Sequence, residues 1–96
     1  ARDMKPDEYV RRVFFGVYDN LDALDGEISE RAVGWSLKRM SKTAIAVLRL
    51  ALYEIRYMED IPVSVSINEA VELCKKYATK EDASFVNGIL ASAVKV

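Results

Sequence analysis

Few residues of this 96-residue chain have the types and spacing that catalysis requires. Histidine is absent, which removes the commonest general base, metal ligand and member of a nucleophilic triad. Acidic pairs occur at Asp19 with Asp22 and at Glu81 with Asp82, where surface charge at helix ends explains them. The sequence also lacks metal-ligand spacing, a nucleophile elbow and a phosphate-binding glycine loop. It therefore predicts no catalytic residue, no metal site and no cofactor, and it favours a binding module over an enzyme.

Length and composition indicate one small folded domain, which we place over residues 1–96. A hydrophobic content of 51% with 30% charged residues is typical of a globular protein rather than a disordered one. The net charge is −1 and the sequence pI is about 5.4, so no global basic field draws the chain onto nucleic acid. Any contact with nucleic acid must come from a local patch or from a partner.

The expected location is the cytoplasm. Cys74 is the single cysteine, cannot form an internal disulfide, and falls on an apolar helix face as a small core residue. No apolar run approaches the ~18 residues of a membrane span, and no signal peptide is visible. The chain begins with Ala1 rather than methionine, which indicates a processed chain or a fragment.

The segment TAIAVLRLALYEIRY, residues 43–57, is the predicted centre of the fold. Its apolar residues cover most of a helical circumference, and only Arg49, Tyr53 and Arg56 share one narrow stripe. A helix that is apolar nearly all round is buried, so the other helices must surround it. The fold class is therefore all-α, a bundle of about five helices around a buried central helix. The predicted helices span about 7–24, 27–33, 43–57, 66–77 and 80–95.

Local signals set the predicted helix boundaries. Asp25-Gly26 predicts a turn after the first helix. Ser41 and Thr79 are predicted N-caps, and Ser66 with Glu69 has the spacing of a capping box, with Ser64 as a competing cap.

Two interior glycines and one connector are expected to pack closely. Gly16 and Gly88 interrupt helical patterns and are interpreted as sites of close contact between helices. In the connector, Trp35 and Leu37 are expected to fill the core. The basic residues Lys38, Arg39 and Lys42 follow, and a solvated loop is the preferred interpretation.

Several pieces of the chain together resemble the NusB transcription antitermination factors, and their order and spacing make the likeness specific. Upstream, GWSL at 34–37 and the first helix are also similar to that family. The pieces that carry the resemblance are LRLALYE at 48–54, DIP at 60–62, INEAVEL at 67–73 and FVNG at 85–88.

The resemblance implies an all-α fold of two small helical subdomains and a non-catalytic function. It implies binding of the boxA element of ribosomal RNA together with NusE, a small-subunit ribosomal protein, and an indirect action on the RNA polymerase elongation complex. It further implies that this chain begins after an arginine-rich N-terminal helix that carries much of the RNA contact in the family. Without that helix, RNA binding by the remaining half should be weak.

The resemblance carries a few RNA-binding positions onto this sequence. Lys80 and Glu81 match the RNA-proximal end of the last helix, and Arg31 matches a further RNA-facing position. Phe85 belongs to the same end of that helix, where its ring could stack on an unpaired base. A solvated charge is the alternative for Lys80, and core packing is the alternative for Phe85.

Partner contacts are expected at and after the start of the central helix. The family places them near Ala44, next to the basic Lys42, and Arg49 lies on the one polar stripe of the helix. The helix predicted over 7–24 shows more apolar surface than the remaining helices can cover, which predicts association. We therefore expect a homodimer, formed in one version by exchange of that first helix.

Two other functions fit the same residues. A similar fold occurs as an appendage of ribosomal RNA cytosine methyltransferases, in which case a methyltransferase domain should follow Val96. The chain could also be a helical interaction module with no RNA role. A titration with boxA-like RNA, with and without NusE, separates the antitermination factor from this last alternative.

Overall fold

The computed structural model describes residues 4–94 as a bundle of five α-helices. Within that range no strand is present and no helix is long and apolar enough to cross a membrane. The prediction of an all-α fold is confirmed. A 3₁₀ turn at Leu37–Arg39 precedes the third helix. The α-helices are α1 (Pro6–Asp19), α2 (Leu21–Arg31), α3 (Lys42–Tyr57), α4 (Val63–Tyr77) and α5 (Lys80–Ala93).

The third helix, α3, is the centre of the bundle and packs against all four other α-helices. It begins where predicted, because the Ser41 hydroxyl accepts a hydrogen bond of 3.0 Å from the Ala44 backbone N–H. Leu48 and Leu52 are completely buried on its inner face. Tyr53, which was predicted to lie on the polar stripe, is also buried. The prediction of a buried central helix is confirmed.

The first two helices meet at Asn20, not at the predicted turn. The Asn20 side-chain amide donates to the Gly16 carbonyl at 2.8 Å and so competes with continued helical bonding. Asp25 and Gly26 lie inside α2, so the turn predicted there is wrong. A glycine inside a helix costs only about 1 kcal/mol, and burial of Leu24 and Ile28 from α2 outweighs that cost.

The fourth helix starts three residues earlier than predicted. Pro62 is its N-cap in an extended conformation, and the backbone N–H groups of Val65 and Ser66 both bond to the Pro62 carbonyl. Ser66 therefore lies within the helix, and the predicted capping box with Glu69 is wrong. The Ser66 hydroxyl instead donates to the buried Glu54 carboxylate at 2.9 Å. This bond ties α4 to α3.

The last helix, α5, is held at both ends. The Thr79 hydroxyl accepts from the Asp82 backbone N–H at 3.0 Å, which confirms the predicted cap. Phe85 and Cys74, from α5 and α4, are completely buried, so the expectation that Cys74 is a core residue is confirmed. At the other end, α5 has no basic residue in its last turn, and arginines from α2 and α3 cap its carbonyls instead. The predicted extension of this helix to residue 95 reaches beyond the described residues.

Candidate nucleic-acid interface

The connector between α2 and α3 lies along the N-terminal half of α5. The Trp35 ring meets the Phe85 ring edge-on, with centroids 5.0 Å apart and planes at 79°. Four residues further on, Arg39 Nη2 lies 3.8 Å from a carboxylate oxygen of Glu81. Because Glu81 and Phe85 are four residues apart, they share one face of α5. The connector therefore runs antiparallel to α5 and brings its aromatic and basic residues to the predicted RNA-proximal end of that helix.

Three exposed cations belong to the two segments that meet here. Lys38 precedes Arg39 in the 3₁₀ turn, and Lys80 precedes Glu81 as the first residue of α5. All three cationic side chains are exposed, as is Glu81. We call Trp35, Lys38, Arg39, Lys80 and Glu81 the connector surface. It is a local patch with a positive balance on a chain whose net charge is −1.

Phe85 does not present its ring to solvent. None of its surface is exposed, and its ring packs inside the connector against Trp35. A base could stack on Phe85 only if that ring left the core, which would sacrifice about 2–3 kcal/mol of apolar burial. The assignment of Phe85 to RNA stacking is therefore corrected to a core position that supports Trp35.

Arg31 lies away from the predicted companions Lys80 and Glu81. Its guanidinium donates to the Ser92 carbonyl at 2.8 Å, to the Ser92 hydroxyl at 3.2 Å and to Glu27 at 2.9 Å. Ser92 is at the far end of α5, about 18 Å along the helix axis from Lys80. The structure thus brings Lys80 and Glu81 together at one end of α5 and uses Arg31 to cap the other end.

The three predicted partner residues have different surroundings. Lys42 is exposed at the first position of α3. Ala44 is completely buried, so the prediction that its side chain contacts a partner is corrected to a core role. Arg49 holds Asp25 with two hydrogen bonds of 2.8 and 2.9 Å, which ties α3 to α2 and raises the pKa of the guanidinium. About a third of its side chain stays exposed, on the same helical stripe as Lys42.

An apolar groove borders this stripe. Its volume is about 480 Å³, and residues of α1 form one wall while α3 contributes Arg49 and Leu50 to the other. Phe14 and Tyr18 are 63% and 71% exposed there, which is unusual for large apolar side chains four residues apart on one helix. The expectation that the first helix carries uncovered apolar surface is therefore confirmed for α1.

The acidic and sulfur-containing side chains of the described residues do not form a metal-binding cluster. Among residues 4–94 no three or more His, Cys, Asp or Glu side chains are grouped so that they could hold a metal ion. The buried Glu54 carboxylate is occupied by hydrogen bonds from Tyr9 and Ser66. Those bonds join α1, α3 and α4, so Glu54 has a structural role.

Comparison with known sequences decides the family. The model of the NusB family matches residues 1–95. This chain belongs to the NusB family. It is 50% identical over 88 residues to the transcription antitermination protein NusB of Ruminiclostridium cellulolyticum, covering 92% of this chain and 61% of that protein. It is 51% identical over 89 residues to the protein of the same name from Acetivibrio thermocellus, covering 93% and 61%.

A third NusB relative, from Syntrophotalea carbinolica, is 52% identical over 83 residues, which are 86% of this chain and 53% of that protein. The chain thus spans between half and two thirds of the length of these NusB proteins. The resemblance given by the sequence motifs is confirmed. The relatives' shared name describes a transcription factor rather than an enzyme, which agrees with the prediction of a non-catalytic protein.

Sequence reasoning missed the exposure of Trp35 in this NusB chain. The prediction placed Trp35 in the core, but 41% of its surface is exposed. A signal was present in the sequence, because Trp35 follows Gly34 and precedes the basic pair Lys38-Arg39. Gly34 has a φ of +82°, which marks a tight turn at the surface rather than a buried segment.

Proposed function

We propose that this chain belongs to a cytoplasmic, non-catalytic antitermination factor that binds boxA-type RNA together with NusE and acts indirectly on elongating RNA polymerase. The observation that carries the proposal is the connector surface on a NusB-family chain. There the exposed Trp35 packs on Phe85 and Arg39 lies near Glu81 one turn away, while Lys38 and Lys80 are exposed next to these residues in the chain. Proteins read single-stranded RNA with this combination of stacking platforms and phosphate-binding cations.

The charge balance supports an RNA contact that is local and shared with a partner. With a net charge of −1, the chain has no general attraction for phosphates, so its affinity for RNA alone should be low. A second protein that supplies further cations would raise that affinity. The antitermination name of the relatives favours this function over an appendage of a ribosomal RNA methyltransferase.

The proposed NusE contact lies on the exposed stripe of α3. Lys42 and Arg49 are seven residues apart, about 10 Å along the helix, and point to the same side. Ala46 is exposed between them and lines the apolar groove with Arg49. Charged residues at the rim of an apolar strip are typical of a protein interface.

Fluorescence anisotropy of a labelled boxA-type RNA tests the RNA proposal. The full chain is titrated into the RNA with and without NusE, and a scrambled RNA of equal length is the specificity control. We expect tighter binding with NusE and a preference for the boxA-type sequence. No binding of the boxA-type RNA in either arm would contradict the proposal.

A matched pair of lysine variants locates the RNA contact. Lys80→Ala removes a charge from the connector surface, and Lys5→Ala removes one beside the start of α1. Lys5 is the control because it lies far from the connector. Tyr9, one turn after Lys5, bonds to Glu54 near the end of α3. Glu54 is about 18 Å along α3 from Lys42, which is at the connector end of that helix. We expect Lys80→Ala to weaken binding severalfold and to reduce the salt slope by about one, while Lys5→Ala has little effect.

We also propose that the uncovered face of α1 pairs with a second copy of the chain. Val10, Phe14, Phe15 and Tyr18 are each more than half exposed on this 14-residue helix. Val10, Phe14 and Tyr18 recur every four residues and form one continuous strip. A self-complementary apolar strip on a helix is suited to a two-fold dimer, because each strip covers the other.

Light scattering at micromolar concentration tests the dimer. We expect Phe14→Glu to give a monomer, while Val33→Glu leaves the dimer intact. Val33 is 83% exposed but lies in the connector rather than on the α1 strip. A monomeric chain without substitution would contradict the proposal, as would coverage of the strip by another segment of a longer protein. Because Arg49 lines the same groove, added NusE should compete with the dimer.

A further inference from the structure

Trp35 has two environments at once. Its ring makes a T-shaped contact with the buried Phe85 ring, while 41% of the residue is open to solvent. We propose that the open side of Trp35 is a stacking platform for one unpaired base of a single-stranded RNA. This inference rests on the proposed RNA binding and assigns the base contact to a residue that the family motifs did not indicate.

The ring is held in place before any ligand arrives. Its backbone N–H bonds to the Ala32 carbonyl at 3.0 Å, which closes the turn after α2. Gly34 supplies the positive φ of that turn, and Phe85 packs against the ring in a T-shaped contact. A ring that is already ordered loses little conformational entropy when a base stacks on it.

The charges around Trp35 favour a nucleic acid over an apolar peptide. Lys38 and Arg39 follow the ring by three and four residues, and both are exposed. Arg39 lies 3.8 Å from Glu81, but both side chains are mostly in water, so their pairing is weak and Arg39 can exchange it for a phosphate. A base on the ring would therefore have cations within reach of its own backbone.

The geometry selects single-stranded RNA rather than a duplex. A duplex hides the faces of its bases within the stack, whereas loops and single strands expose them to aromatic side chains. Stacking is tolerant of sequence, because every base has a π-face. Trp35 should therefore contribute affinity without choosing the base.

Trp35 is the only tryptophan of the chain, so its intrinsic emission reports on this site alone. Unlabelled single-stranded RNA of the boxA type is titrated into the full chain with NusE, and the same titration of Trp35→Phe is subtracted as the blank. We expect RNA to quench Trp35 emission saturably, and the midpoint of the quenching curve to equal the midpoint of the anisotropy curve. An RNA with one abasic nucleotide at the stacked position should bind more weakly and quench less, with no change to the protein.

Two substitutions separate stacking from packing. Trp35→Leu keeps an apolar contact with Phe85 but removes the π-face, and we expect affinity to fall about tenfold. Trp35→Phe keeps a smaller ring, and the loss should be about threefold. Circular dichroism and thermal melting establish whether each variant is folded. If Trp35→Leu does not fold, quenching and the abasic RNA decide.

The outcomes distinguish this inference from the proposed function. RNA binding with unchanged Trp35 emission, no effect of any abasic position and equal affinity of Trp35→Leu would overturn the stacking role and leave the proposed function standing. Absence of any anisotropy change would overturn both.

Discussion

The ring of Tyr53 on α3 occupies the space that a Cβ atom on Gly16 of α1 would need. Glycine is thus the residue that lets these two helices approach, as its place in the helical pattern suggested. Gly16→Ala should lower the free energy of unfolding by about 1–3 kcal/mol, because the ring or a helix must shift. Urea denaturation measures the change.

The matched control is Gly88, the other glycine predicted to lie at a close helix contact, which the structure places in open space. A Cβ on Gly88 would meet no atom within 4 Å, so the prediction that Gly88 is a close-packing site is wrong. Gly88→Ala should raise the stability by up to about 1 kcal/mol, because alanine favours a helix. Equal effects of the two substitutions would contradict this assignment.

The salt bridges at the end of α5 predict a dependence of stability on acid. Glu27 binds both Arg56 and Arg31, and these arginines in turn donate to the Ala93 and Ser92 carbonyls. The hydrogen bond from Arg56, followed by that from Arg31, outweighs burial and lowers the pKa of Glu27. Its contribution to stability is therefore complete above the ordinary glutamate pKa of about 4.3 and is lost as the pH falls through the lower folded-state value.

Glu27→Gln tests this contribution. We expect the melting temperature at neutral pH to fall by about 4–8 °C, which corresponds to about 1 kcal/mol in a domain of this size, and the loss of stability below pH 4.5 to become shallower. Glu72→Gln is the control, because Glu72 is mostly exposed and its ion pair is with Lys75, at 3.5 Å on the same helix. An acid limb that is the same in both variants would refute the role of Glu27.

The sequence predicted the centre of the fold but not every boundary. The apolar circumference of α3 and the caps Ser41 and Thr79 are local signals that tertiary packing reinforces. The break at Asn20 and the helical position of Ser66 depend on side-chain hydrogen bonds to Gly16 and Glu54. Ser66 bonds across helices, and propensity and cap spacing contain no information about such a partner.

The sequence singled out one end of α5 but not the exposure of the residues packed there. The motif around Lys80 and Glu81 pointed to the N-terminal end of α5, which is where the connector packs. Gly34 before Trp35 signals a surface turn, but Trp35 and Phe85 pack on each other, and only three-dimensional packing decides which of the two rings is covered. The exposure of Trp35 therefore depends on how it packs with Phe85.

The buried Glu54 carboxylate predicts a strong effect of a small change in Tyr9. The Tyr9 hydroxyl donates to Glu54, and burial, followed by that bond and the Glu54 charge, raises the Tyr9 pKa. Tyr9→Phe removes a donor from a carboxylate that water barely reaches, and we expect a loss of about 1–3 kcal/mol. Tyr18→Phe on the same helix is the control, because Tyr18 is largely exposed.

Alkaline titration provides an independent test of Tyr9. Because its folded-state pKa is raised, its contribution to stability is complete below the ordinary tyrosine pKa of about 10 and is lost as the pH rises toward the folded value. The difference in ultraviolet absorbance between the unsubstituted chain and Tyr9→Phe isolates its ionisation. Ionisation of Tyr9 at or below pH 10 in the folded chain would contradict the bond to Glu54.

Cys74 should be nearly inert in the folded protein. The thiol is completely buried on α4, and burial, with a smaller effect of the Asp82 charge, raises its pKa. Since the thiolate is the reactive form, an aromatic disulfide reagent must wait for the chain to open. We expect the reaction of the folded chain at pH 8 to be about a hundredfold or more slower than that of the chain in urea. Variants with a lower free energy of unfolding should react faster. A cysteine at the exposed Val33, in a chain with Cys74→Ala, is the matched control and should react at once. If native Cys74 reacted as fast as that surface thiol, the helices α3, α4 and α5 could not be packed as described.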